Sequence, residues 1–429
     1  MTTLERDINE DLLHYIWFQK QFPLEAHTTD GERLEIIDIG QPNSNAGPDV
    51  FNAKIKISDQ IWCGNVEFHR HSSDWLKHKH HNDKSYNSVI LHVVFSADCS
   101  IFRTNNESIP QWEITVPNDL LEKYRTLQLP KSSLPCANKL ASISEITFYN
   151  WLNRLLVERL EQKVSAITTI LNQTANNWEE AFYITLCRNF GFSTNADAFE
   201  QVAKSVPLAI LGKHKDQLFQ IESLLFGQAG WLEDTEPQDD YVKKLQKEYQ
   251  FLSKKYALQP PTTLQWKFLR LRPANFPTIR MAQFAALIHH SSRLFSKVLE
   301  CTQYNDVLSF FDFTTSDYWT THYLFNKESS KTDKKLSAAS IRIIIINTIV
   351  PFLFNYGKTH DNSKLQEIAL SWLEQLPPEN NHIVSTFKSL HFPADTAADT
   401  QAIIQLKQAY CDTRKCLQCA IGCQLLKSK

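Results

Sequence analysis

Hydrophobic periodicity changes once along this chain, near Pro117, and that change fixes most of what the chain can fold into. Before it, apolar and polar residues alternate with the two-residue period of half-buried strands. From Ser144 onward, apolar residues recur every three or four positions, as on a helix with one buried face. A chain of 429 residues is also long for one core. The reading is therefore α+β. An α/β unit with a mixed sheet is expected over residues 1–120, a larger all-α domain over 121–410, and a Cys-rich segment over 411–429.

Leu12, Leu13, Ile16, Trp17 and Phe22 give residues 8–22 the apolar face of a helix. Residues 34–39, 51–57 and 61–69 read as strands. In the third, Trp62, Val66 and Phe68 take one side, and Cys63, Asn65, Glu67 and His69 the other. Residues 72–87 are polar and open on Ser72, Ser73 and Asp74, a helix-start signal. Residues 89–95 are nearly all apolar, as in a central strand covered on both faces, and residues 109–116 close the sheet. Helices are expected from 145–173 through to 399–411, with loops near 191–195, 229–237, 257–277 and 314–335. The apolar run from Ile343 to Phe354 is interrupted by Asn347 and Pro351. It is too short to span a bilayer and reads as a core helix.

Hydrophobic residues make up 42% and charged residues 21%, a globular balance. The formal net charge is −2, so any nucleic-acid contact falls to a local patch. The first thirteen residues carry neither the basic nor the apolar region of a secretory signal. Cys63, Cys99, Cys136, Cys187 and Cys301 are scattered singly. Both features predict a cytoplasmic protein in a reducing compartment, with no membrane partner. The oligomeric state stays open.

The chemistry concentrates between Gly47 and His92. Asp49 follows Gly47-Pro48 at the mouth of a strand, and Glu67 and His69 share a face at the end of the next. A hairpin would set Asp49 beside them, and converging carboxylates suit Mg²⁺ or Mn²⁺. Glu10, on the first helix, is a candidate further ligand, whereas His14 reads as structural. Six of the fifteen histidines lie here: His69, His71, His78, His80, His81 and His92. With Asp74 and Asp83 they read as a Zn²⁺ or Mn²⁺ cluster. A second reading is a basic substrate face with Arg70, Lys77, Lys79 and Lys84 and Trp75 as stacking platform; for any single histidine over 78–81 the prevailing reading is a solvated polar helix. His92, inside an apolar strand, needs a buried partner. It is a satisfied core histidine, or it holds Glu67 or Asp74. His71, Asp74, His78 and His92 are thus substrate-facing or supporting residues.

Cys411, Cys416, Cys419 and Cys423 have the spacing C-x4-C-x2-C-x3-C, which suits zinc or an iron–sulfur cluster. The alternative is a terminal helix with buried free thiols. Arg270, Arg272 and Arg280 flank a proline-rich loop and are expected to pin it.

A Pro-Asp pair followed by Glu-x-His, on a helix, three strands, a helix and a strand, resembles the PD-(D/E)XK nuclease superfamily. The resemblance covers roughly Asn9 to Val116. It implies a restriction-endonuclease-like core with Asp49 and Glu67 holding a metal ion. His69 departs from the superfamily's lysine. The resemblance leaves the lysine's role of positioning or activating the attacking water to His69, or to Lys54 or Lys56 on the adjacent strand. Members of its RecB-like branch complete a C-terminal iron–sulfur cluster with one upstream cysteine, here Cys63 or Cys136. The segments LLHYIW, NAGPDVFNAKI, WCGNVEFHRHSSDWLKHKHHND, YNSVILHVV, LLFGQAGWL, LRLRPANFPTIRMAQFA and YCDTRKCLQCAIG resemble an uncharacterised bacterial family of unknown function, over nearly the whole chain. The expectation is a metal-dependent phosphodiesterase acting on DNA or RNA. Two alternatives stand beside it: an inactive nuclease-like module that binds nucleic acid or protein, and a zinc-dependent hydrolase of a small molecule.

Overall fold

The computed structural model describes residues 8–43, 46–128, 134–232 and 239–427. The start of the N-terminal segment and part of the loop expected at 229–237 lie outside the described residues. Two compact units emerge, Met1–Trp151 with Leu406–Lys429, and Leu152–Gln405. The C-terminal cysteines therefore belong to the same unit as the sheet.

In the first unit, helix α1 (Glu10–Phe18) begins where Asn9 accepts the Leu12 N–H at 3.1 Å. It stops earlier than the apolar pattern, because Lys20 turns into the left-handed region and Gln21 N–H bonds back to Ile16 O. Strands β1 (Ala26–His27), β2 (Arg33–Asp38), β3 (Gln41–Pro42), β4 (Val50–Ile57) and β5 (Gln60–His71) follow. Then come the short helix α2 (Asp74–Lys77), two 3₁₀ turns, and strands β6 (Val89–Ser96) and β7 (Gln111–Glu113). The sheet runs β1-β2-β4-β5-β6-β7, with β3 also on β4. It is mixed: β5 is antiparallel to β4 and parallel to β6, which is parallel to β7.

Both sheet faces are covered, as β6 demands. Val89 through Val94, His92 included, are buried. On one face α1 packs Trp17 against Phe68, ring centroids 5.6 Å apart. On the other, Trp75 packs with Val89, Ile101 and Ile109. Residues 72–87 fold as helix and 3₁₀ turns crossing from β5 to β6.

One strand departs from simple alternation. Asn52, at φ 56°, makes a bulge in β4, so that Val50 is fully buried while Phe51 is only half-buried. Gly40, at φ 73°, allows the close approach of the preceding turn. A Cβ there would lie 2.4 Å from Phe51 O and 2.7 Å from Val50 Cγ1.

The second unit is helical around a two-stranded hairpin, β8 (His322–Leu324) and β9 (Lys327–Glu328), inside the stretch expected as loop, so it is not purely α. The apolar run at 343–354 sits in a longer helix, Ala338–Thr359, long and apolar enough to cross a membrane but mostly buried within the protein. Arg280 is buried and bonds Asn275, Gln283 and Ser340, pinning the proline-rich loop as expected. Arg270 and Arg272 stay exposed.

Candidate functional site

Three elements of the first unit bring acidic groups together at one end of β5. Glu10 comes from the first turn of α1, and Glu67 from β5. Asp49 precedes β4 in a loop shaped by Asn43, whose side chain donates to Pro48 O (2.9 Å) and whose N–H bonds Asp49 O (2.8 Å). Asp49 and Glu67 are interlocked through the backbone. Asp49 N–H donates to Glu67 Oε2 (3.1 Å), and Phe68 N–H donates to Asp49 Oδ2 (3.0 Å). His14 Nε2 lies 3.3 Å from Asp49 Oδ2. Burial pushes the Glu67 carboxyl up to about 9, helped by the negative charge of Asp49. Burial and Asp49 also raise Glu10.

Imidazoles meet the other oxygen of Glu67. His80 Nε2 lies 3.5 Å and His69 Nε2 3.8 Å from Glu67 Oε1. His69 Nε2 also faces His78 Nδ1 at 3.0 Å, and His69, His78 and His80 place ligand atoms all within 4.8 Å of one another. Lys79, between the last two, is left-handed at φ 63°, which folds both rings onto one side. His80 stacks on Tyr86 at 3.8 Å, over the edge of Trp75. Burial, then His92, His78 and His80, push His69 down to about 2, so it stays neutral at neutral pH.

The other candidates fall into place around this centre. His92 is buried and holds neither Glu67 nor Asp74; its Nε2 meets His69 Nδ1 at 2.8 Å. Asp74 accepts His71 N–H (3.0 Å) and Lys77 Nζ (2.6 Å), so it organises the start of α2. His71 ends β5, four residues beyond Glu67, paired with Ser96 and near Asp98. Trp75 is fully buried, which removes it as a stacking platform. Lys54 and Lys56 stand opposite Cys63 and Ile61, four and six residues from Glu67. That is roughly 13–20 Å along the strand, beyond a lysine's reach. The sequence reads His14 as structural; in the fold it lies against Asp49. Its signal was the four-residue spacing from Glu10, which puts both on one face of α1.

The cysteines gather elsewhere in this unit. Cys136 is within electrostatic reach of Cys419 and Cys416, and Cys411 of Cys136, Cys419 and Cys416. Cys63 is exposed on β5. Cys423 points its Sγ at Leu417 O (3.0 Å). The N–H groups of Ile421 and Gly422 face Cys419 and offset part of the effect of its burial. Gly422 is required there, since a Cβ would sit 2.1 Å from Cys416 O. Burial raises all five thiols, Cys136 to about 12.

Two cavities in the helical unit, about 630 and 680 Å³, lie apart from these residues; Phe182 and Leu294 line the first, Arg159 and Lys163 the second. The candidate site rests on convergent ionisable groups instead.

No curated protein and no solved structure matches the chain. A model of a family described as protein of unknown function, DUF2851, matches residues 10–382, and the chain belongs to that family.

Proposed function

We propose that this protein is a metal-dependent phosphodiesterase acting on nucleic acid, with Glu10, Asp49 and Glu67 as its metal-binding carboxylates. The observation that carries the reading is the reciprocal backbone lock between Asp49 and Glu67, which holds two acidic side chains together. Such an arrangement is costly unless a cation or a proton sits between the carboxylates. The chemistry of the donor set, hard oxygens from three elements, fits Mg²⁺ or Mn²⁺. Such an ion supplies charge neutralisation at the phosphate and lowers the pKa of a water.

The chain's own residues do the rest. His14 braces Asp49. The imidazoles on the far side of Glu67 are proton acceptors, and His69 stands where the resembled nuclease superfamily has lysine. Lys77 and Lys79 are exposed on the neighbouring turn and present positive charge to a phosphate backbone. The test is hydrolysis of single- and double-stranded DNA and RNA with Mn²⁺. Glu67→Ala and Asp49→Asn are expected to lose at least about 100-fold, the scale of removing one electrostatic stabiliser. No hydrolysis of any of these substrates by the wild type overturns the reading and favours the binding-module alternative.

The thiols have a separate, structural role in this reading: Cys136, Cys411, Cys416 and Cys419 hold an iron–sulfur cluster or zinc. Among the described residues only the histidine trio places three ligand atoms within 4.8 Å, so the thiols are spread more widely than around one zinc ion. That spacing favours the iron–sulfur cluster. Iron, sulfide and zinc analysis of the purified protein decides between them.

A further inference from the structure

We infer that the site is dinuclear, with a second transition-metal ion held by His69, His78 and His80 and Glu67 bridging the two ions. The inference rests on the metal-dependent reading above and changes its content, because three imidazoles enter as ligands.

The first argument is the division of Glu67. Its Oε2 belongs to the Asp49 side, at 3.1 Å from Asp49 N, and its Oε1 to the imidazole side, at 3.5 Å from His80 Nε2 and 3.8 Å from His69 Nε2. A carboxylate with one oxygen on each set of donors is placed as a bridge.

The second argument is how His69 is held. Its Nδ1 lies 2.8 Å from Nε2 of the fully buried His92, while its Nε2 faces His78 Nδ1 and Glu67 Oε1. A ring anchored through its far nitrogen on a buried partner, with the near nitrogen turned towards other donors, is the usual arrangement of a metal-binding histidine.

The third argument is spacing. Two nitrogens on one ion at about 2.0–2.1 Å stand roughly 3 Å apart, and His69 Nε2 and His78 Nδ1 are 3.0 Å apart. His78 is exposed and His80 half-buried, so the ion has an open side for solvent and substrate. Nitrogen donors select a softer ion than the carboxylate side does, Zn²⁺, Co²⁺ or Mn²⁺ over Mg²⁺. His69 then acts as a ligand, and proton acceptance passes to other groups.

The experiment titrates Co²⁺ alone into metal-free full-length protein, following calorimetry and visible ligand-field bands; the near-ultraviolet thiolate band reports separately on the cysteines. The expected result is that His78→Ala and Asp49→Asn each lose one equivalent of Co²⁺, and that their double variant loses two. His78 is exposed, so its variant should keep the wild-type fold, checked by circular dichroism. If His78→Ala and His80→Ala both retain the wild-type stoichiometry and bands, the imidazole site is overturned, whatever the hydrolysis assay shows. If His78→Ala loses an equivalent while Asp49→Asn loses none, the imidazole ion stands alone, and both the bridge and the carboxylate reading fall.

Discussion

Buried ionisable groups occur in both units, and they behave differently. In the helical unit Glu222 is fully buried, and burial pushes it up to about 7. It nevertheless accepts hydrogen bonds from Tyr241 OH (2.7 Å) and Ser316 Oγ (2.8 Å). Lys163 is pushed down to about 7 by burial and by Arg159, yet it donates to Ile346 O, Asn347 Oδ1 and Gln401 Oε1. Each is hydrogen-bonded to neutral groups of the opposite sense. At the β5 site carboxylate stands beside carboxylate, and three imidazoles crowd their ring nitrogens within 4.8 Å of one another. A shifted pKa therefore does not separate a structural group from a functional one; unmatched partners do.

The largest effect that tests this distinction is at Glu222. Glu222→Ala strands two hydroxyl donors and should cost about 2–5 kcal/mol of stability in urea unfolding. Glu67→Gln, measured in EDTA at pH 8, should cost nothing and raise stability, because it removes the need for a buried Glu67 carboxyl to take up a proton on folding. A loss at Glu67 as large as that at Glu222 would break the comparison.

Next in size is Gly40→Ala. The added Cβ meets Phe51 O and Val50 Cγ1 in a backbone with φ 73°. Strain and overpacking together are worth about 2–4 kcal/mol. Because Val50 adjoins Asp49, the variant should also lose Mn²⁺-dependent hydrolysis, whereas Glu222→Ala should retain it at temperatures where it stays folded.

Opposite in sign between the two units are the pH dependences. Glu67 has a folded pKa raised from 4.5 to about 9. Its contribution is complete below the unfolded value and is lost as pH rises through the folded one. Lys163 is lowered from 10.5 to about 7, so its contribution is present above the unfolded value and is lost as pH falls towards 7. In EDTA, the stability of the wild type relative to Glu67→Gln should fall between pH 5 and 9 (about the span of that shift). Relative to Lys163→Met it should rise between about pH 7 and 10. A slope of the wrong sign in either pair refutes that assignment.

Much of this molecule was legible because periodicity survives without tertiary knowledge. The helix over 145–173 has those bounds in the structure, and the buried β6 followed from its apolar run. What stayed hidden depends on single backbone conformations. The bulge at Asn52 swaps Phe51 for Val50 in the core, and no alternation pattern announces it. The loop expected at 191–195 closes at Gly191, where a Cβ would sit 2.6 Å from the Asn195 backbone. Within the site, Asp49, Glu67 and His69 were visible as a pattern. The contact of His14 with Asp49, the partnership of His92 with His69, and the nearness of Cys136 to the C-terminal thiols needed distances across the fold. Sequence spacing reports neighbours on one element and says little about which elements meet.

The smallest predicted effect isolates such a conformation. Lys79 holds φ 63° between His78 and His80, at a cost near 1 kcal/mol for a residue with a Cβ. Lys79→Gly removes that strain but adds about 0.5–1 kcal/mol of backbone entropy to be lost on folding. Stability should therefore change by less than about 1 kcal/mol. The two histidines, however, are no longer held in place by a stiff linker, so Co²⁺ should bind the imidazole side more weakly while the carboxylate side is unchanged. Lys79→Asn, which tolerates the left-handed region while keeping a side chain, should preserve the affinity. Equal Co²⁺ affinity in Lys79→Gly and wild type would show that the loop is ordered by its neighbours, not by this residue, and would leave the placement of the imidazoles to packing against Trp75 and Tyr86.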